Sequence, residues 1–136
     1  MQAIPYLNFD GQCAEAFAFY REALGGEIVM SSTYGESPMC DQVPPETRDR
    51  IMHCHLVADG AEIMGADGPP PHGGHGNTCI NLMVGTIEQA ERIYAALSAG
   101  GTIQMPLQET FWAHRWGAFS DRFGKPWMLN CMKTPE

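Results

Sequence analysis

Two apolar spacings, one of strands and one of helices, alternate along this chain, and they run through the same order twice. The stretch AIPYLNF (3–9) reads as a short strand, with Pro5 tolerable only at its start or at an edge. Past the turn at Asp10-Gly11, Cys13, Phe17, Tyr20 and Leu24 form one stripe of a helix that ends at Gly25-Gly26. EIVMSSTY (27–34) predicts a strand. Residues 35–50, with three prolines and mixed charge, predict a surface loop. Residues 51–67 predict two strands about Asp59-Gly60, a dipeptide that accepts the positive φ angles of a tight hairpin. GPPPHGGHGN (68–77) is a second breaker-rich loop.

The order then restarts. TCINLMV is a strand, Thr86 caps a helix with Gln89 three residues on, and Ile87, Ala90, Tyr94 and Leu97 make its buried stripe. TIQMP, HRWGAFS and PWMLNC follow as three strands. YREALGGEIVM (20–30) and YAALSAGGTIQM (94–105) match as Tyr, a small or Leu run, Gly-Gly, a polar residue, Ile, any residue and Met. Tyr20 to Tyr94 is 94 − 20 = 74 residues and Met30 to Met105 is 105 − 30 = 75, so a repeat of 74 to 75 is implied. The expected fold class is α+β: one domain of two tandem βαβββ modules, about 1–67 and 78–132, joined by the loop at about 68–77.

Composition narrows the function. At 136 residues and 44% hydrophobic the chain can bury one core. A net charge of −8 repels nucleic acid and anionic membrane surfaces, so neither is an expected partner. No apolar run approaches the roughly 20 residues of a membrane helix, and MQAIPYLNFDG lacks the features of a secretion signal. A cytoplasmic protein is expected. The five cysteines (Cys13, Cys40, Cys54, Cys79 and Cys131) are scattered without a C-x-x-C pair, so they are expected as reduced thiols packed like small apolar residues.

The paired modules and FDGQCAEAFAFYREALGG after the first strand resemble the glyoxalase, bleomycin-resistance and extradiol-dioxygenase group, the vicinal oxygen chelate superfamily. PLQETFW, the WGAFSDRFG turn and PWMLNC resemble its PhnB-like members, often labelled 3-demethylubiquinone methyltransferase-like domains. The resemblance covers essentially the whole chain. It implies a curved mixed-sheet cup with helices outside, and a homodimer as partner state. It also implies four inward positions, on the first and fourth strands of each module, where many members hold a divalent metal. Here those positions fall at or beside Pro5, Met64, Cys79 and Met128, none a ligand for a hard cation, so no metal and no cofactor are expected. Methyl transfer finds no support, because no parallel sheet with a glycine-rich first turn is predicted.

Other residues could carry chemistry. His53 and His55, at i and i+2, share a strand face; they are hydrogen-bonded fillers or, with Glu62 or His114, the start of an ion site. His72 and His75 are expected to be exposed on the second loop. Trp112, His114 and Trp116 alternate with Ala113, Arg115 and Gly117, so one strand face is aromatic. That face is core packing, a subunit contact or a wall that stacks on a flat ligand, with Arg115 meeting an anionic group if it points inward. Glu109, beside Phe111 and Trp112, is either a hydrated surface acid or a general base with a raised pKa. Asn81 and Asn130 lie two residues beyond Cys79 and Met128, share the inward face, and are ligand contacts or satisfy backbone at strand ends. Asp121, Gly124 and Lys125 read as turn chemistry.

Three function classes remain open. The cup could bind a small molecule without converting it. It could instead be a metal-independent lyase or isomerase that uses Glu109 on a small oxygenated metabolite. The third class is a dimeric interaction module with a vestigial cup. The expected ligand-binding set is His55, Met64, Cys79, Asn81, Trp112, Arg115, Trp116, Met128 and Asn130.

Overall fold

Each half of the chain closes its own four-stranded mixed sheet with one helix against it. The structure is a computed structural model that describes residues 1–38, 40–68 and 78–133, and it divides into two compact units, Met1–Gly74 and His75–Glu136. In the first unit β1 (Tyr6–Phe9), α1 (Cys13–Leu24), β2 (Glu27–Thr33), β3 (Ile51–Ala58) and β4 (Ala61–Asp67) follow in order. In the second, β5 (Ile80–Met83), α2 (Ile87–Ser98), β6 (Thr102–Gln108), β7 (Ala113–Ser120) and β8 (Pro126–Met132) repeat it. The sheet orders are β1-β4-β3-β2 and β5-β8-β7-β6, with β1 parallel to β4, β5 parallel to β8, and every other pair antiparallel. The fold is the expected α+β pair of βαβββ modules. His72 and His75 lie outside the described residues.

The matching segments of the two halves have a physical cause. Gly25, the C-cap of α1, sits in the left-handed region at φ 70°, and Gly100, just past α2, is at φ 78°. The second glycine of each pair meets a different demand. A methyl group at Gly26 would lie 2.6 Å from the Val57 carbonyl oxygen, and one at Gly101 would overlap the Ser120 carbonyl oxygen. Each helix therefore turns into its next strand directly against a neighbouring backbone. The register then shifts at the same place in both halves, between Ile28 and Met30 and between Ile103 and Met105, so Met30 stands opposite His55 and Met105 opposite Ala118.

The helix-side faces form the cores. Phe17 and Tyr20 of α1 are fully buried with Cys54 and Leu56 of β3 and Ile63 of β4. Gly65 of β4 leaves the space that the Phe17 ring fills, since a Cβ there would come 2.7 Å from the ring. In the second unit Ala90, Ile93 and Leu97 of α2 are buried, as are Phe119, Trp127 and Leu129. Ile87 and Tyr94, expected in the α2 stripe, are half-buried, and Ile93 takes the central place.

Two buried carboxylates tie backbone together. Asp67 accepts from Cys13 N at 3.0 Å, capping α1 from a distant strand, and from Ile51 N at 2.9 Å. Asp121 accepts from Phe123 N at 2.8 Å, Lys125 N at 3.0 Å and the Trp127 indole at 2.8 Å, so it anchors a core ring as well as closing the turn. Thr86 accepts from Gln89 N at 3.1 Å as expected of a helix cap. The hairpin at Asp59-Gly60 has φ 49° and 83°. The loop after β2 is more regular than expected, with short 3-10 turns at Tyr34–Glu36, Cys40–Gln42 and Pro45–Thr47. Thr33 caps the first of them, exchanging bonds with Glu36.

All five cysteines are free: Cys13, Cys54 and Cys131 are buried, Cys40 is half-buried and Cys79 is exposed. Burial pushes the Cys54 thiol above its ordinary value of 9.0, against the lowering effect of hydrogen bonds from Ser31 and His55. Because the folded value is the higher one, this group favours the fold fully below the unfolded value and loses that contribution as pH rises through the folded one. Iodoacetamide at mildly alkaline pH is expected to label Cys79 first and Cys54 only on unfolding, as read by peptide mass spectrometry. Equal labelling of the two in the native protein would contradict this burial.

Candidate functional site

Strand alternation in the second unit brings a set of apolar and amide side chains onto the sheet face away from α2. Asn81 pairs in register with Met128, Met83 with Asn130, and Trp116 with Asn130. With Trp112 and Met132, these residues line a hollow of about 380 Å³. The Trp112 and Trp116 rings meet edge to face with centroids 5.7 Å apart, and Phe111 packs edge-on to Trp112 at 4.8 Å. The lining holds two indoles, three thioethers and two amides, and no group that titrates near neutral pH.

Its polar groups form a directed chain. The Trp112 indole N–H donates to Asn130 Oδ1 at 3.2 Å, and Asn130 Nδ2 donates to Asn81 Oδ1 at 2.7 Å. Asn81 Nδ2 meets the Met83 sulfur at 3.5 Å, a weak acceptor. Asn130 is only 4% exposed, so a fixed partner is required there, whereas Asn81 is exposed. The Trp116 indole nitrogen is buried and meets no acceptor among the described residues.

Three expected site residues of the second unit stand elsewhere. Alternation sets Arg115 on the face opposite Trp116, beyond a ladder slip between Ala113 and Arg115. Arg115 consequently pairs with Cys131 and turns to the helix side, where Nε lies 3.4 Å from Glu91 of α2 and Nη1 donates to the His114 carbonyl. It cannot meet a ligand in the hollow. Trp112 lies before β7 and reaches the lining, while His114 is half-buried and is not a lining residue. Cys79 precedes β5, is exposed and is also outside the lining. Glu109 is 62% exposed, with Lys133 Nζ at 3.2 Å from its Oε2. The desolvation by aromatic rings that would suit it as a base is absent.

His55 and Met64 belong to the first unit, where they pair in register on one sheet face with Tyr6 and His53. His55 Nε2 lies 2.8 Å from Glu62 Oε1, whose other oxygen accepts from Gln2 at 2.9 Å. His53 Nδ1 lies 3.1 Å from the Tyr6 hydroxyl. Burial pushes the Tyr6 phenol up, with Cys13, Tyr34 and Cys54 acting the same way. Both histidines are thus paired within the sheet. The β1 position beside Met64 is Tyr6 rather than Pro5, and the β5 position beside Met128 is Asn81 rather than Cys79. Two thioethers and a neutral phenol do not suit a hard divalent cation and a single amide oxygen does not hold one, and among the described residues no three His, Cys, Asp or Glu side chains gather to hold an ion.

Met83 and Met132 are lining residues that the sequence reading passed over. Alternation from Asn81 along β5 and from Asn130 along β8 points to both.

Comparison with known proteins agrees with the fold. Residues 4–129 match the family model described as Glyoxalase/Bleomycin resistance protein/Dioxygenase superfamily. Protein YjdN of Escherichia coli K12 is 34% identical over 142 aligned positions, covering 98% of this chain and 97% of that protein. The crystal structure of protein PA1353 from Pseudomonas aeruginosa shares 42% identity and a TM-score of 0.88, covering 98% and 99% of the two chains. The PhnB protein from Bacillus cereus shares the fold at 24% identity and a TM-score of 0.75, covering 96% and 98%. The chain belongs to the glyoxalase/bleomycin resistance protein/dioxygenase superfamily.

Proposed function

We propose that, within this superfamily, the chain binds a small, flat or apolar molecule in the hollow of its second unit and holds it without converting it. One observation carries the reading. The seven lining side chains, Asn81, Met83, Trp112, Trp116, Met128, Asn130 and Met132, supply stacking surface and hydrogen bonds but no acid, base or nucleophile. Thioethers adapt to shape and indoles stack, which favours affinity for an aromatic ligand over chemistry on it. A lyase or isomerase using Glu109 loses its support with that side chain exposed and paired to Lys133. No described helix is long and apolar enough to cross a membrane.

The reading is tested by calorimetric titration with substituted naphthalenes, followed by recovery of the ligand. Binding is expected, with the compound returned unchanged, and Trp116→Ala should weaken it by about tenfold by removing half of the aromatic wall. A chemically altered ligand would replace binding by catalysis.

A second copy of the chain is the partner this reading includes. Val29 and Met30 on edge strand β2, and Ile103 and Met105 on edge strand β6, remain exposed, and covering such edges removes a route to aggregation. Light scattering at micromolar protein is expected to give the mass of two chains; the mass of one would exclude it.

A further inference from the structure

Resting on the reading of the hollow as a binding site, we infer that it selects ligands by a hydrogen-bond acceptor, a carbonyl or similar oxygen on a flat apolar body, and discriminates against donors. The polarity follows from an indole. A tryptophan ring nitrogen donates and cannot accept. With the Trp112 N–H on Asn130 at 3.2 Å, the amide oxygen of Asn130 must face Trp112, and its NH2 must face Asn81. Asn81 therefore accepts through its own oxygen, at 2.7 Å, and its NH2 group is the end of the chain that reaches the hollow. Flipping either amide would set two donors or two acceptors face to face at hydrogen-bond distance, next to a residue that is 4% exposed.

The free end is a poorly used donor. Its partner is the Met83 sulfur at 3.5 Å, which a ligand oxygen would outcompete. The Trp116 ring belongs to the same lining, but its indole nitrogen is sealed within the protein and does not face the hollow. Against the Asn81 donor the hollow offers three thioether sulfurs and two amide oxygens that each already accept one N–H from the chain. A ligand N–H or ammonium entering it would give up water and gain a sulfur, a ring face or the second lone pair of an oxygen already engaged, whereas a carbonyl would meet the under-used Asn81 NH2.

Three ligands of similar shape separate the possibilities by calorimetry with the whole chain: acetylnaphthalene carries an acceptor, isopropenylnaphthalene neither group, and aminomethylnaphthalene a cationic donor. Acetylnaphthalene is expected to bind about tenfold tighter than isopropenylnaphthalene, with aminomethylnaphthalene the weakest. Asn81→Asp keeps the oxygen that accepts from Asn130 and replaces the NH2 with an acceptor. It should weaken acetylnaphthalene by about tenfold and bring aminomethylnaphthalene to the top of the order. Trp112→Phe frees both amides to flip and should bring the acceptor and donor ligands within about threefold of each other. If all three bind the wild-type protein alike, or the amine binds best, the donor-only polarity is wrong while the hollow remains a binding site. If none of them binds, the hollow is not a site for flat apolar ligands and both readings fall.

Discussion

Asp121→Ala is expected to lower the stability of the second unit by about 4 kcal/mol, because it strands three donors at once. Phe123 N, Lys125 N and the Trp127 indole all bond to this carboxylate, and Asp121 and Trp127 are almost fully buried. The indole cannot turn to water without leaving the core. Trp127→Phe removes one donor and keeps most of the ring, so it should cost only about 1–2 kcal/mol, and the double variant should cost less than the sum. Urea unfolding followed by circular dichroism measures all three. A loss of under 1 kcal/mol for Asp121→Ala would mean that water reaches these donors.

Gly101→Ala is expected to cost about 3 kcal/mol, and the reason is contact rather than backbone freedom. The added methyl would overlap the Ser120 carbonyl oxygen and press on the Asp121 backbone, and neither can swing aside as a side chain could. Gly26→Ala meets Val57 and Ala58 in the same way in the first unit. Gly25→Ala is the control: its φ is 70° but nothing lies within 4 Å of the new methyl, so only the left-handed strain of about 1 kcal/mol is paid. If Gly25→Ala proved as costly as Gly101→Ala, the close-approach account would be wrong.

These glycines also explain why the architecture was legible in the chain. A Gly-Gly pair followed by Ile and Met at a fixed offset marks a helix end, a backbone contact and a ladder slip that recur at the same place in each half. The inward amides were legible too, since alternation from the strand ends places Asn81 and Asn130 on one face, and they meet at 2.7 Å. What the one-dimensional pattern could not carry was which face of β7 lies against α2. Alternation already set Arg115 opposite Trp112 and Trp116, but only the packing of the sheet on α2 turns the arginine to Glu91 and the two indoles to the hollow. Glu109 misled for a related reason. Its sequence neighbours Phe111 and Trp112 pack on each other, and its side chain turns to Lys133, far along the chain but adjacent in space.

The uneven placement of the three tryptophans has a spectroscopic consequence. Trp112, Trp116 and Trp127 all fall in the second unit, so indole emission watches that half and is silent about the first. Trp127, sealed in the core, should emit towards the blue, with Trp112 and Trp116 as the component that a quenching ligand or dissolved iodide reaches. Four tyrosines are divided three to one, Tyr6, Tyr20 and Tyr34 against Tyr94, so tyrosine absorbance tracks chiefly the other half. The chain thus carries two optical reporters, and a melt recorded at both wavelengths tells whether its halves come apart in one step or two.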